Sequence, residues 1–145
     1  MTSLSIAPIA DGDVADVVAL WQRCGLTRPW NDPAADIALA RRGPSSALLV
    51  GRQDGAIVAT AMVGHDGHRG WVYYVAVDPD RQGKGLGRII MNAVEDWLRA
   101  TGVPKLQLLV RRENAKASAF YQSLGYEEST SMVLAKWLDG REPTP

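Results

Sequence analysis

The chain has 145 residues, with 16 basic and 16 acidic side chains and a formal net charge of zero. That length suits one domain with its own buried core, and the charge balance excludes whole-molecule attraction to nucleic acid or to an acidic membrane surface, so any anion binding must be local. A single cysteine, Cys24, excludes an internal disulfide framework and fits a reducing compartment; with only His65 and His68 available to activate it, it is expected to be an unreactive thiol.

The opening MTSLSIAPIADGD has neither the basic start nor the long apolar run of a signal peptide. No window approaches the roughly eighteen apolar residues of a membrane span, and a cytoplasmic protein is expected. LSIAPIA alternates and reads as a first strand, ended by DGD, where Asp11 or Asp13 is placed to cap a helix. In VADVVALWQRCG, Val14, Val17, Val18 and Trp21 recur at helical spacing until Gly25 stops the run. LTRPWNDP follows as a proline-bounded loop with an exposed-looking tryptophan. Asp32 before Pro33 reads as a cap followed by proline at the first helical position, opening PAADIALARR.

SALLVGR and AIVATAMVG read as two strands joined at Asp54-Gly55, HDGHRG as a second turn, and WVYYVAV as a third strand rich in aromatic and β-branched residues. After a glycine-rich loop, Ile89, Ile90, Ala93, Val94, Trp97 and Leu98 mark one face of a helix that ends near Gly102 and Pro104. KLQLLV is expected as the next strand, NAKASAFYQSLG as a helix closed by Gly125, and YEESTSMVLAKWL as one or two final strands. No repeat, linker or low-complexity segment interrupts this order. It implies an α/β (α+β) mixed sheet with helices on both faces, in a single domain spanning residues 1–145.

The glycine loop, DPDRQGKGLGR, lies where a strand hands over to a helix, the place where α/β sheets bind ligands. It is neither of two common phosphate motifs. Gly87 falls one position short of the third glycine in GxGxxG, and Lys84 is followed by Gly85 rather than by the Ser or Thr of a P-loop. The shared physics survives: glycines let consecutive N–H groups face an anion, and the following helix adds its positive end. Arg81, Lys84 and Arg88 add local positive charge, or are solvated surface charges. Downstream, Asn114 opens a helix and is as well placed to cap it as to bind a ligand, and Tyr121 reads alone as a core aromatic with a wet hydroxyl.

VAVDP, Gln82, Gly85 and Gly87, followed by Asn114, Ala117, Tyr121 and Gly125-Tyr126 at these spacings, strongly resemble the GNAT superfamily of acyl-CoA-dependent N-acetyltransferases, over essentially the whole chain. CGLTRPWNDP and DGHRG resemble the YpeA-like acetyltransferases, a bacterial subfamily whose substrate is poorly defined. The resemblance implies a GNAT-like acyl-CoA N-acyltransferase fold, acetyl-CoA as cosubstrate without a metal, and direct attack of a primary amine on the thioester. It implies that the strand before the loop splays from its neighbour, so that Val75, Ala76 and Val77 meet the pantetheine arm. Gln82 opens the loop, and the amides of Gly83, Lys84, Gly85, Leu86, Gly87 and Arg88 would hold the pyrophosphate. Asn114 would bond an amide of the pantetheine arm, and Tyr121 would protonate the departing thiolate.

An amine must be neutral to attack, and many members of the superfamily position a glutamate as base. WVYYVAV offers no carboxylate, and Leu109 stands where the peptide-alanine acetyltransferases carry a glutamate, which weakens protein N-termini as the acceptor. Asp32, Asp66, Tyr73 and Tyr74 remain as candidates, and an amine of low pKa needs no base. Trp30, Asn31 and Asp32 lie in the loop that borders the acceptor site in this superfamily, so with Tyr73 they are the expected acceptor-binding residues. A core anchor at Trp30 and a helix cap at Asp32 are the structural alternatives. His65, Asp66, His68 and Arg69 read as a tight turn, too small a donor set for a metal. The expected partner is a small-molecule or peptide amine, with no nucleic acid and no membrane, in a monomer or homodimer. A catalytically idle acyl-CoA-binding regulatory module is the competing reading.

Overall fold

A computed structural model describes residues 3–143, and the chain divides after Leu109 into two compact units. The first contains β1 (Ser5–Pro8), α1 (Val14–Arg23), α2 (Pro33–Ala40), β2 (Ser46–Gln53), β3 (Ala56–His65), β4 (Gly70–Val77), α3 (Leu86–Ala100) and β5 (Leu106–Gln107). The second contains α4 (Ala115–Ser123). The five strands form one mixed sheet in chain order, antiparallel from β1 to β4 and parallel between β4 and β5.

Local rules account for most of these elements. Asp54 and Gly55 both take positive φ, 51° and 82°, as a tight hairpin between right-twisted strands requires. The Asp32 side chain accepts a hydrogen bond from Ala35 N at 3.1 Å, and Pro33 supplies the preset φ of the first turn of α2. On α3, Leu86, Ile90, Met91, Val94 and Leu98 form one buried stripe. Each such side chain contributes about 1.5–3 kcal/mol relative to exposure, so packing rather than propensity holds this helix.

Strand pairing fixes which helix lies on which face. Val50 pairs with Thr60 and Thr60 with Ala76; this is the face on which Trp21 of α1 donates to Thr60 Oγ1 at 2.8 Å. Gly70 and Val72 belong to the other face, where α3 packs. A Cβ on Gly70 would stand 2.5 Å from Leu98 Cδ1, so the missing side chain is what lets the end of α3 close on the sheet. The core on the α1 face joins Val17, Leu20 and Trp21 to Ile37, Leu48, Val50 and Ala76.

Three expectations are corrected. Asp13 stands at the N-cap of α1, but its side chain makes no cap bond: a short 3-10 turn, Asp11–Asp13, precedes the helix, and the Asp13 carboxylate instead binds Arg52 and accepts from Ala10 N at 2.9 Å. An arginine across the sheet offers a charged donor that outcompetes a neutral amide. KLQLLV shrinks to Leu106–Gln107, the two residues that pair with Gly70 and Trp71; β4 runs on to Val77 without pairing the rest of the segment. Among the described residues, YEESTSMVLAKWL forms no strand; an apolar run makes a strand only where a neighbouring edge takes up the backbone hydrogen bonds, and Met132, Val133 and Leu134 stay exposed. Among the described residues no helix is long and apolar enough to cross a membrane.

Candidate functional site

Below β4 the chain turns through Pro79–Arg81, capped by Asp78, whose carboxylate accepts from Asp80 N at 3.0 Å and pairs with Arg23 at 2.8 Å. The backbone donor first and the Arg23 guanidinium next hold the Asp78 carboxyl below its ordinary range. Arg81 is tied down as well, donating to Gln53 Oε1 at 3.0 Å, with its Nε 4.0 Å from Asp78. Gln82 folds its side-chain amide back onto the Val77 carbonyl at 3.3 Å, the same oxygen that takes the Cys24 thiol. Burial pushes the Cys24 thiol pKa up, in keeping with an unreactive thiol.

Beyond this braced turn the backbone opens. Gly83 and Gly85 take φ of 79° and 82°, and a Cβ on either would meet no atom within 4 Å. Gly85 is the N-cap of α3 and carries no side chain to satisfy the first turn. Leu86 is buried at 1% exposure and therefore offers only its backbone outward. The helix ladder starts with Ile89 N bonded to Gly85 O at 3.2 Å, which leaves the N–H groups of Leu86, Gly87 and Arg88 at the positive end of a 15-residue helix. Lys84 and Arg88 are exposed and enter no salt bridge among the described residues. An open glycine cradle, uncapped amides and two free cations fit a diphosphate.

The strand leading into this loop has a second opening. β4 and β5 pair only at Gly70–Leu106 and Trp71–Gln107, so past Trp71 the strand has no partner strand on that side among the described residues. Val75, Ala76 and Val77 occupy this stretch. On the β3 side, Met62 pairs with Tyr73 and Thr60 with Ala76, which leaves Tyr74 and Val75 together opposite Ala61. This is a β-bulge, and Tyr74 stands in it at φ 52°. A bulky non-glycine residue held there costs of order 1–3 kcal/mol and persists only where its surroundings over-determine it.

They do. The Tyr74 ring lies flat on Trp21, with centroids 3.7 Å apart and planes 7° apart. Its carbonyl accepts from Thr60 Oγ1 at 2.9 Å, and Thr60 in turn accepts from Trp21. Its hydroxyl donates to Asp36 Oδ2 at 2.7 Å. Burial, and then the Asp36 carboxylate, push the Tyr74 pKa far up, which removes it as a base near neutral pH. The bulge also puts Tyr73 on the α1 face beside it, half-exposed and raised in pKa by burial alone.

The expected acceptor loop is knit to the end of α1. Arg28 donates to the carbonyls of Gly25 and Thr27 at 2.8 and 2.9 Å, Asn31 N bonds Arg28 O at 3.1 Å, and Trp30 is half-buried. Asp32 caps α2 with one carboxylate oxygen. Asp66 is consumed by its turn, accepting from His68 N, Arg69 N and Trp71 Nε1, and the backbone donors hold its pKa down. In the second unit, Asn114 Oδ1 caps α4 through Ala117 N at 3.1 Å. Tyr121 packs edge-on against Phe120 and Tyr126, and burial pushes its phenol up to about 12. Sequence reasoning passed over Asp36 and the Arg23–Asp78 pair. The only signal for Asp36 was a carboxylate one helical turn after Asp32, beside the core residue Ile37.

Residues 15–126 match the family model described as the acetyltransferase (GNAT) family. The chain belongs to the GNAT family. The ribosomal-protein-S18-alanine N-acetyltransferase from Escherichia coli is 31% identical, with a TM-score of 0.75 over 88% of this chain and 80% of that one. AAC(6')-Iy, solved with the bisubstrate analogue CoA-S-monomethyl-acetylneamine, shares the fold at 16% identity, with a TM-score of 0.80 over 94% and 99% of the two chains. A putative acetyltransferase from Agrobacterium tumefaciens shares it at 21% identity, with a TM-score of 0.77 over 92% and 99%. As a GNAT protein the chain has the mixed five-stranded sheet and four helices of that fold, and the family's chemistry is acetyl transfer from an acyl-CoA to an amine.

Proposed function

We propose that this GNAT protein is a single catalytic domain that passes the acetyl group of acetyl-CoA directly to a primary amine in the cytoplasm. The observation that carries the reading is the uncapped start of α3 behind Gly83 and Gly85, at the foot of a strand that has parted from its neighbour. Acetyl-CoA, when bound, supplies the thioester. The amides of Leu86, Gly87 and Arg88, with Lys84, hold its diphosphate, and the backbone from Val75 to Val77 aligns the pantetheine arm. Arg81 and Gln82 act by bracing the turn, since their side chains are already committed. Asn114 is assigned to the pantetheine arm and Tyr121 to protonation of the departing thiolate on the family resemblance. A phenol held near 12 keeps that proton at working pH.

Trp30, Asn31, Asp32 and Tyr73 are assigned to the acceptor. The likeness to the YpeA-like subfamily rests on this loop and on the DGHRG turn, and supports a small or peptide amine without choosing between them. One observation favours a second reading, an idle acyl-CoA-binding module: β4 carries no carboxylate, and Leu109 is half-exposed where a base would stand. A panel of amines assayed for thiol release from acetyl-CoA decides. Turnover with any amine supports transfer, and tight acetyl-CoA binding without turnover across the panel supports the module.

A further inference from the structure

We infer that Asp36, acting through Tyr74, is a positioning residue that holds the strained bulge of β4 and so keeps Val75 to Val77 aligned for the reaction. The inference rests on the acetyltransferase reading for its kinetic consequence, but not for its structural one.

Four elements meet at this bulge. Trp21 comes from α1, Thr60 from β3, Tyr74 from β4 and Asp36 from α2, and every polar atom that links them is within 2.7–2.9 Å of its partner. Stacking on Trp21 fixes the plane of the Tyr74 ring, and the Thr60 hydroxyl fixes the carbonyl of the strained residue. Neither contact fixes the ring's position along its own plane. Only the hydroxyl bond to Asp36 does that, and at the far end of the side chain a contact restrains rotation about Cα most tightly.

Releasing the bulge has a defined consequence. Tyr74 and Val75 share one opposite residue, Ala61, so relaxation of Tyr74 to ordinary strand geometry feeds one extra residue into β4. A one-residue slip turns Val75, Ala76 and Val77 to the opposite face. The residues displaced are the three that run along the open side of β4 into the glycine loop. Helix α2, which follows the loop carrying Trp30 and Asp32, is thereby mechanically tied to the cofactor strand.

The test uses Tyr74→Phe, Asp36→Ala, Asp36→Asn and the double variant Tyr74→Phe/Asp36→Ala. With an accepted amine, Tyr74→Phe and Asp36→Ala should each lower kcat/KM for acetyl-CoA about tenfold, the worth of one well-placed hydrogen bond. Asp36→Asn should keep most of the activity, because its amide oxygen still accepts from the tyrosine. The double variant should be no worse than either single one. If Asp36→Asn is as poor as Asp36→Ala, or if the two single losses add, the carboxylate acts by itself and the positioning role is overturned. Lower unfolding midpoints with unchanged kcat/KM for acetyl-CoA in the folded protein would also overturn it, by leaving only a structural role. If the wild-type protein turns over no amine, the acetyltransferase reading fails, and amide hydrogen exchange still tests the clamp. Exchange at Val75–Val77 should quicken in Tyr74→Phe and Asp36→Ala and stay near wild type in Asp36→Asn; equal exchange in all of them overturns the clamp.

Discussion

Tyr121 keeps its proton because burial leaves the phenolate poorly solvated, and that sets both its chemistry and its pH signature. Tyr121→Phe should retain acetyl-CoA affinity by calorimetry while turnover falls by up to about 10²-fold, a modest loss because a thiolate leaves readily. The sign of the stability effect follows from the shift. The native pKa of about 12 lies above the ordinary value of 10.0, so the contribution of the buried phenol is complete below about pH 10 and is lost as pH rises toward 12. Urea unfolding at about pH 9 and about pH 11 should show a larger drop for the wild type than for Tyr121→Phe; equal drops would place the phenol in water. At Asp32 the cap and the charge are separable. Asn caps as well as Asp, so Asp32→Asn should leave the melting temperature unchanged and raise the KM of cationic amines more than that of neutral ones. Asp32→Ala removes the cap as well and should cost about 1 kcal/mol.

Among the elements, α3 and its loop invite the cleanest substitution. Valine at Gly85 would strain a residue at φ 82° whatever the ligand, so lost binding there is ambiguous. Gly87 lies inside the first turn of α3 and is not among the positive-φ glycines. Gly87→Val should therefore fold at least as well, yet weaken acetyl-CoA binding in a calorimetric titration by crowding the diphosphate; unchanged affinity would remove the first-turn amides from the site. What was legible in the sequence at this scale was what local chemistry decides. Asp54-Gly55, Asp32-Pro33, Asn114 and the α3 stripe each name their structure within a few residues. KLQLLV and the last apolar run did not, because a strand is made by its neighbour and the neighbour is not written beside it. The bulge at Tyr74 was illegible for a related reason: its positive φ is imposed by Trp21, Thr60 and Asp36, which lie 53, 14 and 38 positions away. Asp13 went to an arginine 39 positions off rather than to the adjacent helix.

For the whole molecule, the family was legible because its signature is a backbone signature, glycines at a strand-to-helix junction, and backbone needs propagate directly into residue type. The acceptor was not, since an amine pocket is assembled from side chains on separate elements. The zero net charge hides a local contrast between committed Arg81 and uncommitted Lys84 and Arg88, which only the fold reveals. Apolar exposure is also uneven: Leu134, at 86% exposure, is one of several large apolar side chains in the second unit that meet water. Leu134→Lys should shift stability by no more than about 0.5 kcal/mol in thermal unfolding. A larger loss would mean that this side chain is covered in solution. Finally, the flat contact between Trp21 and Tyr74 makes the bulge visible to light. Two chromophores locked face to face, one fully and one partly buried, give a near-ultraviolet circular dichroism signal that exists only while they are held rigid. The part of that signal lost in Tyr74→Phe, against the background of the other four tryptophans, is an optical gauge of the strand register, readable without label, ligand or turnover.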